Sequence, residues 1–206
     1  MQSLKMIIER CCTDVESVRD AARKGAARVE LCDRLEVGGI TPDESVIREA
    51  VSVGIPVNVL VRPRGGDFIY NEHEILRMLE SIYVCHRCGV NGVVIGALLP
   101  DGNVDIPTMR RLLSASGPMQ VTFHRAFDEC SDPFRALEEI IALGCDRLLT
   151  SGQKPTANEG VALIRQLVER ADGRIIIMPG SGITPANLHT VSDMTGASEF
   201  HGTRIP

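Results

Sequence analysis

Several short apolar runs in this chain carry reactive side chains at every second position. "MIIERCC" holds Glu9 and Cys11, "RVELC" holds Glu30 and Cys32, and "VNVLVRPR" holds Asn58, Arg62 and Arg64. "VTFHRAFD" holds Thr122, His124 and Asp128, and "EFHG" holds Glu199 and His201. A strand sends alternate side chains to one face, so each set should share a face, with mainly Ile, Val, Leu and Phe on the other. Arg10, Asp33 and Arg125 break that rule. Glu9, Glu30, His124, Asp128, Glu199 and His201 are candidates for acid–base catalysis. Arg62 is expected to serve as an interior partner of Glu9 and Glu30 or of an anionic ligand. A buried ion pair stabilises poorly beside apolar packing, and unusual charges cluster at functional sites, so the pattern points to a working site. The Gly65-Gly66 hinge should fold Arg64 and Asp67 over its mouth.

Two glycine-rich turns could bind an anion. In "MPGSGITPAN", Gly180, Ser181 and Gly182 let backbone N–H groups approach a phosphate, and a helix starting near Thr184-Pro185 would aim its positive end at it. Thr150-Ser151-Gly152 forms a similar turn, which adds Ser151 to the candidates, and Arg64 completes the anion-binding set. An ordinary strand-to-helix turn would look the same.

The cysteines carry a different chemistry. Cys11 and Cys32 end adjacent strands on one face, and neighbouring strands lie about 4.8 Å apart. Two thiols at that range suit soft Cu(I) or a reversible disulfide, or they are buried packing. "CHRC", with Cys85 and Cys88, lacks the second pair that a structural zinc site needs.

These residues need a scaffold, and the punctuation supplies one. Seven times a helical stretch ends at a glycine and a β-rich run follows, at Gly25, Gly54, Gly89, Gly117, Gly144, Gly173 and Gly196. Glycine alone takes the left-handed C-terminal cap without strain. Helix starts are marked by Thr41-Pro42-Asp43-Glu44, with Thr41 as N-cap, by Asn71 with Glu74, and by Asp132-Pro133. Thr156 with Glu159 and Thr184-Pro185 repeat the signal. With "MIIERCC" first, eight strands alternate with helices at a period near 30 residues, which predicts an α/β fold of the (β/α)8 TIM-like barrel type. An open doubly wound sheet is the alternative, but no GxGxxG turn supports it. Residues 1–206 should form one such domain, with the eighth helix missing after the last strand. Either the chain is truncated or another surface covers the gap. Phe200 and Ile205 should then need apolar cover, which predicts a homo-oligomer, a dimer or tetramer.

Composition narrows the classes. The 206 residues carry a net charge of −5 with no basic run, which argues against nucleic acid. No stretch reads as a signal peptide or membrane span. Seven cysteines, an odd number, suggest reduced thiols in the cytoplasm. Only Lys5, Lys24 and Lys154 are lysines, none within a strand, which argues against Schiff-base chemistry.

Taken together, "MIIERCCTDVESVRDAARKGAARVELCDRLEVGGITP", "VLVRPRGGDFIY", "TFHRAFDEC", "RLLTSGQ", "IMPGSGI" and "EFHGT" resemble the CutC copper homeostasis family. The resemblance runs in order from the first strand to the last. It implies a TIM-like barrel, a cytoplasmic oligomer, a link to copper handling, and Cu(I) ligation by cysteines that match Cys11 and Cys32. Arg10 and Cys12 depart from the family's more apolar neighbours, and the family's segment beyond strand eight is absent. Two functions follow as expectations: a copper protein holding Cu(I) through Cys11 and Cys32, or a barrel enzyme acting on a small anionic or phosphorylated metabolite.

Overall fold

The computed structural model describes residues 6–205. Eight parallel strands alternate with seven helices: β1 (Ile7–Cys12), α1 (Val15–Arg23), β2 (Arg28–Leu31), α2 (Glu44–Val51), β3 (Val57–Leu60), α3 (Glu72–Cys88), β4 (Gly92–Ile95) and α4 (Ile106–Ser116). Then come β5 (Gln120–Phe123), α5 (Pro133–Leu143), β6 (Arg147–Thr150), α6 (Val161–Ala171), β7 (Ile176–Pro179), α7 (Leu188–Thr195) and β8 (Glu199–Gly202). The sheet order is β7-β6-β5-β4-β3-β2-β1-β8. β7 and β8 approach one another, so the sheet nearly closes into a barrel. No helix follows β8 among the described residues.

The predicted junctions hold. All seven glycines take positive φ, between 54° and 88°. Asn71 and Glu74 form a reciprocal capping box, and Asp132 caps α5 with Pro133 in its first turn. Two starts differ. α2 begins one residue after Asp43, while the Thr41 hydroxyl takes the Arg62 N–H (2.8 Å) and donates to the Arg62 carbonyl (3.1 Å). Thr41 therefore ties the end of β3 to its neighbour instead of capping a helix. α7 begins at Leu188, after a turn in which Asn187 accepts from the Thr184 N–H.

The outer faces of the strands are apolar and meet the helices. Val29, Val59, Val93, Phe123, Leu148 and Phe200 are buried against Ile47, Ile82, Leu112, Leu137, Ile164 and Val191. The apolar cover expected over the last strand is supplied by the chain's own end rather than by a second subunit. Phe200 is 0% exposed and Ile205 2%, because the chain bends after β8 and turns Ile205 back toward Gly202. The uncovered strip that called for a partner subunit does not exist at these residues. No helix among the described residues is long and apolar enough to cross a membrane.

Candidate functional site

Polar side chains fill the barrel from its floor to its mouth. At the floor, the Arg28 guanidinium donates to both Glu9 and Glu199, the latter at 2.5 Å. The Arg147 Nε donates to the same Glu199 oxygen at 2.8 Å and its Nη1 to Gln120 at 2.9 Å. Asn58 adds a bond from Nδ2 to Glu9 Oε2 at 3.0 Å. Burial works against charge on Glu199, but the two guanidinium groups outweigh it and hold its pKa below the usual carboxylate value. Arg28 is held above its own, since Glu9 and Glu199 overcome its desolvation.

This network corrects the expected role of Arg62. Its Nη1 donates to the carbonyls of Val37 (3.2 Å) and Gly39 (3.0 Å), and its Nη2 to Gly66 (2.6 Å). Its guanidinium carbon lies 4.6 Å from the Phe68 ring centroid. Arg62 thus clamps two loops at the mouth, and the counter-charges of Glu9 are elsewhere. Arg28 supplies the charge facing Glu9, and Arg28 and Arg147 together face Glu199; the sequence reading missed both arginines. Arg28-Glu30-Cys32 and Arg147-Leu149-Ser151 follow the period of two, and extending the alternation back to the strand starts would have found both.

Above the floor lies a cavity of about 470 Å³. Cys11, Glu30, Cys32, Arg62, His124 and His201 line it, together with Ser181 and Gly182 from the turn after β7. Six other candidates do not. Asp128 accepts from the Thr150 hydroxyl (2.5 Å), the Ser151 N–H (3.1 Å) and hydroxyl (2.9 Å), and Arg125 Nε (2.8 Å), so Asp128 and Ser151 brace the turn after β6. Arg64 is bound to Glu74 (2.5 Å) and Asp67 (2.9 Å), which folds it onto the start of α3. Gly180 packs against Leu149 and the His201 side chain. Glu199 and Glu9 belong to the floor. The shortened α7 also removes the helix end expected at Thr184.

His124 follows β5 and is 4% exposed. Burial and the nearby Arg62 charge push its pKa down to about 3, so the ring is neutral near pH 7. Its Nδ1 accepts from the Ala126 N–H at 3.2 Å, which leaves the proton on Nε2. Nε2 has no partner among the described residues. His124 is therefore placed to donate a hydrogen bond from Nε2 to whatever occupies the cavity. Its ring needs the glycine at position 96, where a Cβ would stand 2.6 Å from Cε1 and Nδ1. Gly96→Ala should cost about 1–3 kcal/mol, the range for overpacking a core. Urea melts check this, and a change under about 0.5 kcal/mol would show that the ring moves freely.

His201 Nε2 stands 2.6 Å from Glu30 Oε2. Burial opposes its charge, but the Glu30 and Glu9 carboxylates outweigh that and raise its pKa. The thiols of Cys11 and Cys32 meet at 3.6 Å, beside Leu60 and Val94. The contact with Cys32, burial and the Glu30 carboxylate together raise the Cys11 pKa far above its ordinary value, so the thiol holds its proton. Cys85 and Cys88 both lie on α3, and no metal-ligand cluster among the described residues includes them.

Comparisons with known proteins agree on one family. The CutC family model matches residues 6–206. A CutC family protein of Parabacteroides distasonis is 52% identical over 200 residues, covering 96% of this chain and 82% of that protein. The human copper homeostasis protein cutC homolog is 47% identical over 196 residues, covering 95% of this chain and 72% of that protein. The crystal structure of CutC from Streptococcus agalactiae superposes with a TM-score of 0.93 at 36% identity, covering 98% of this chain and all of that one. The (β/α)8 barrel described above belongs to the CutC family.

Proposed function

We propose that this chain handles copper as Cu(I), held between the Sγ atoms of Cys11 and Cys32. The observation that carries this reading is the sulfur pair itself, 3.6 Å apart on the wall of the cavity. A metal–thiolate bond is about 2.3 Å long, so both sulfurs lie within reach of one ion. Soft thiolates select Cu(I) over harder cations, and the apolar neighbours Leu60 and Val94 offer no oxygen ligand. The human relative named for copper homeostasis supports the copper part of this reading.

The raised thiol pKa has a consequence for uptake. Cys11 holds its proton at neutral pH, and a metal binds the thiolate, so loading must release a proton from it. Binding should strengthen as pH rises. The same thiols need a reducing compartment to stay open, which fits a cytoplasmic protein.

Anaerobic titration against a chromogenic Cu(I) chelator tests the proposal. The wild-type protein should take up one equivalent of Cu(I), and the Cys11→Ser, Cys32→Ser double variant should lose it. Unchanged stoichiometry in that variant would remove the thiol pair from the reading.

A further inference from the structure

We propose that the barrel interior holds a second metal site, for a divalent cation, formed by Glu9, Glu30 and His201. One ligand atom from each lies within 4.8 Å of the others, and no other such trio of His, Cys, Asp or Glu occurs among the described residues. The three stand on consecutive strands, β8, β1 and β2. Register brings them together: Glu9 is level with His201 across β1–β8, and Cys11 is level with Glu30 across β1–β2. Bonds of about 2.0–2.2 Å to oxygen and nitrogen place the ligands of one ion about 3–4 Å apart, so closure asks only small side-chain shifts.

The second observation is a buried carboxylate oxygen with nothing to bond, beside a carboxylate–imidazole pair that has no other partner. Glu9 is 0% exposed, and its Oε2 is taken by Arg28 and Asn58, but its Oε1 has no hydrogen-bond partner. Glu30 is 5% exposed. Its Oε2 and His201 Nε2 stand 2.6 Å apart, an ion pair when the ring is protonated, and neither has any other partner. Buried polar groups are almost always partnered, and an unpaired one calls for a cause. One cation would partner Glu9 Oε1 and take the place of a proton between Glu30 and His201.

The donor set names the class of ion. Two carboxylates and an imidazole suit Mn²⁺, Fe²⁺, Co²⁺ or Zn²⁺, while soft Cu(I) prefers the thiols above. Glu9, Glu30 and Glu199 outnumber Arg28 and Arg147 by one charge when His201 is neutral, as ligation requires. A divalent ion reverses that sign. Glu30 and His201 also line the cavity, so the ion's remaining positions would face a space that already holds the His124 Nε2–H and Arg62. An anionic oxygen ligand suits that space.

This site stands apart from the Cu(I) reading, and the test keeps the two distinct. Mn²⁺ is titrated into the Cys11→Ser, Cys32→Ser variant while the free-ion EPR signal is followed. One equivalent should bind, and adding Glu9→Gln or Glu30→Gln should weaken binding at least tenfold. Because buried substitutions can disturb folding, Co²⁺ added to the anaerobic wild-type protein gives a second readout. Weak d–d bands without a thiolate charge-transfer band support nitrogen and oxygen ligation. Failure to bind either ion, Mn²⁺ affinity unmoved by both glutamine variants, or an intense thiolate-to-cobalt band overturns the site. Glu30 and His201 would then be an ion pair sharing a proton.

Discussion

Arg28→Met should lower the unfolding free energy by about 3–5 kcal/mol, the cost of removing one partner from a buried ion pair. The guanidinium is 8% exposed and bridges two carboxylates, Glu9 at 0% and Glu199 at 6%. Without it, Glu199 keeps Arg147, but Glu9 keeps only the Asn58 amide. A buried carboxylate so stripped favours its protonated form, so part of the loss should be recovered in mild acid. Urea melts at pH 7 and pH 5 measure both effects. A loss under about 1 kcal/mol would place Arg28 in solvent, as for an exposed pair. Should the methionine variant fail to fold, Arg28→Lys keeps the charge, loses the fork and should show an intermediate cost.

The second large effect belongs to His124. An imidazole titrates near 6.5 when the chain is unfolded, whereas burial and Arg62 push His124 down to about 3 in the folded protein. Between those values the unfolded state binds a proton that the folded state refuses. The contribution is fully present above about pH 6.5 and is lost as pH falls toward 3, at about 1.4 kcal/mol per pH unit, or about 4–5 kcal/mol in all. His124→Asn keeps an acceptor for the Ala126 N–H but cannot titrate. Its stability should fall less steeply than the wild type's between pH 6.5 and 4. Parallel slopes would mean that His124 titrates normally, and an NMR shift of its ring that moves near pH 6.5 would say the same.

The fold was legible because its signals are local. A helix ending at Gly144 and a strand starting at Arg147 follow from backbone strain and side-chain branching, which need no distant partner. Alternation reached slightly past the strands as well: Arg62 lies two residues beyond β3 and His124 one beyond β5, and both face the cavity. It misled further out. Arg64 and Asp128 lie where the chain has left the extended conformation, and a period of two has no meaning across the short helical turn at Arg125–Glu129. Thr41 looked like a helix cap because Pro42 follows it, but its hydroxyl serves a segment 21 residues away. The pairing of charges was the least legible. Arg28 and Glu199 are separated by 171 residues and meet only because β8 closes on β1. No spacing rule could tell Arg62 from Arg28 as the partner of Glu9.

The charged floor has one more consequence, for traffic. Glu9, Arg28, Arg147 and Glu199 are locked to one another across the barrel axis and are all buried. Nothing can thread the barrel without dismantling them, so the interior is a cul-de-sac. Whatever enters the cavity must leave by the door it entered, past Arg62 and the loops that Arg62 pins.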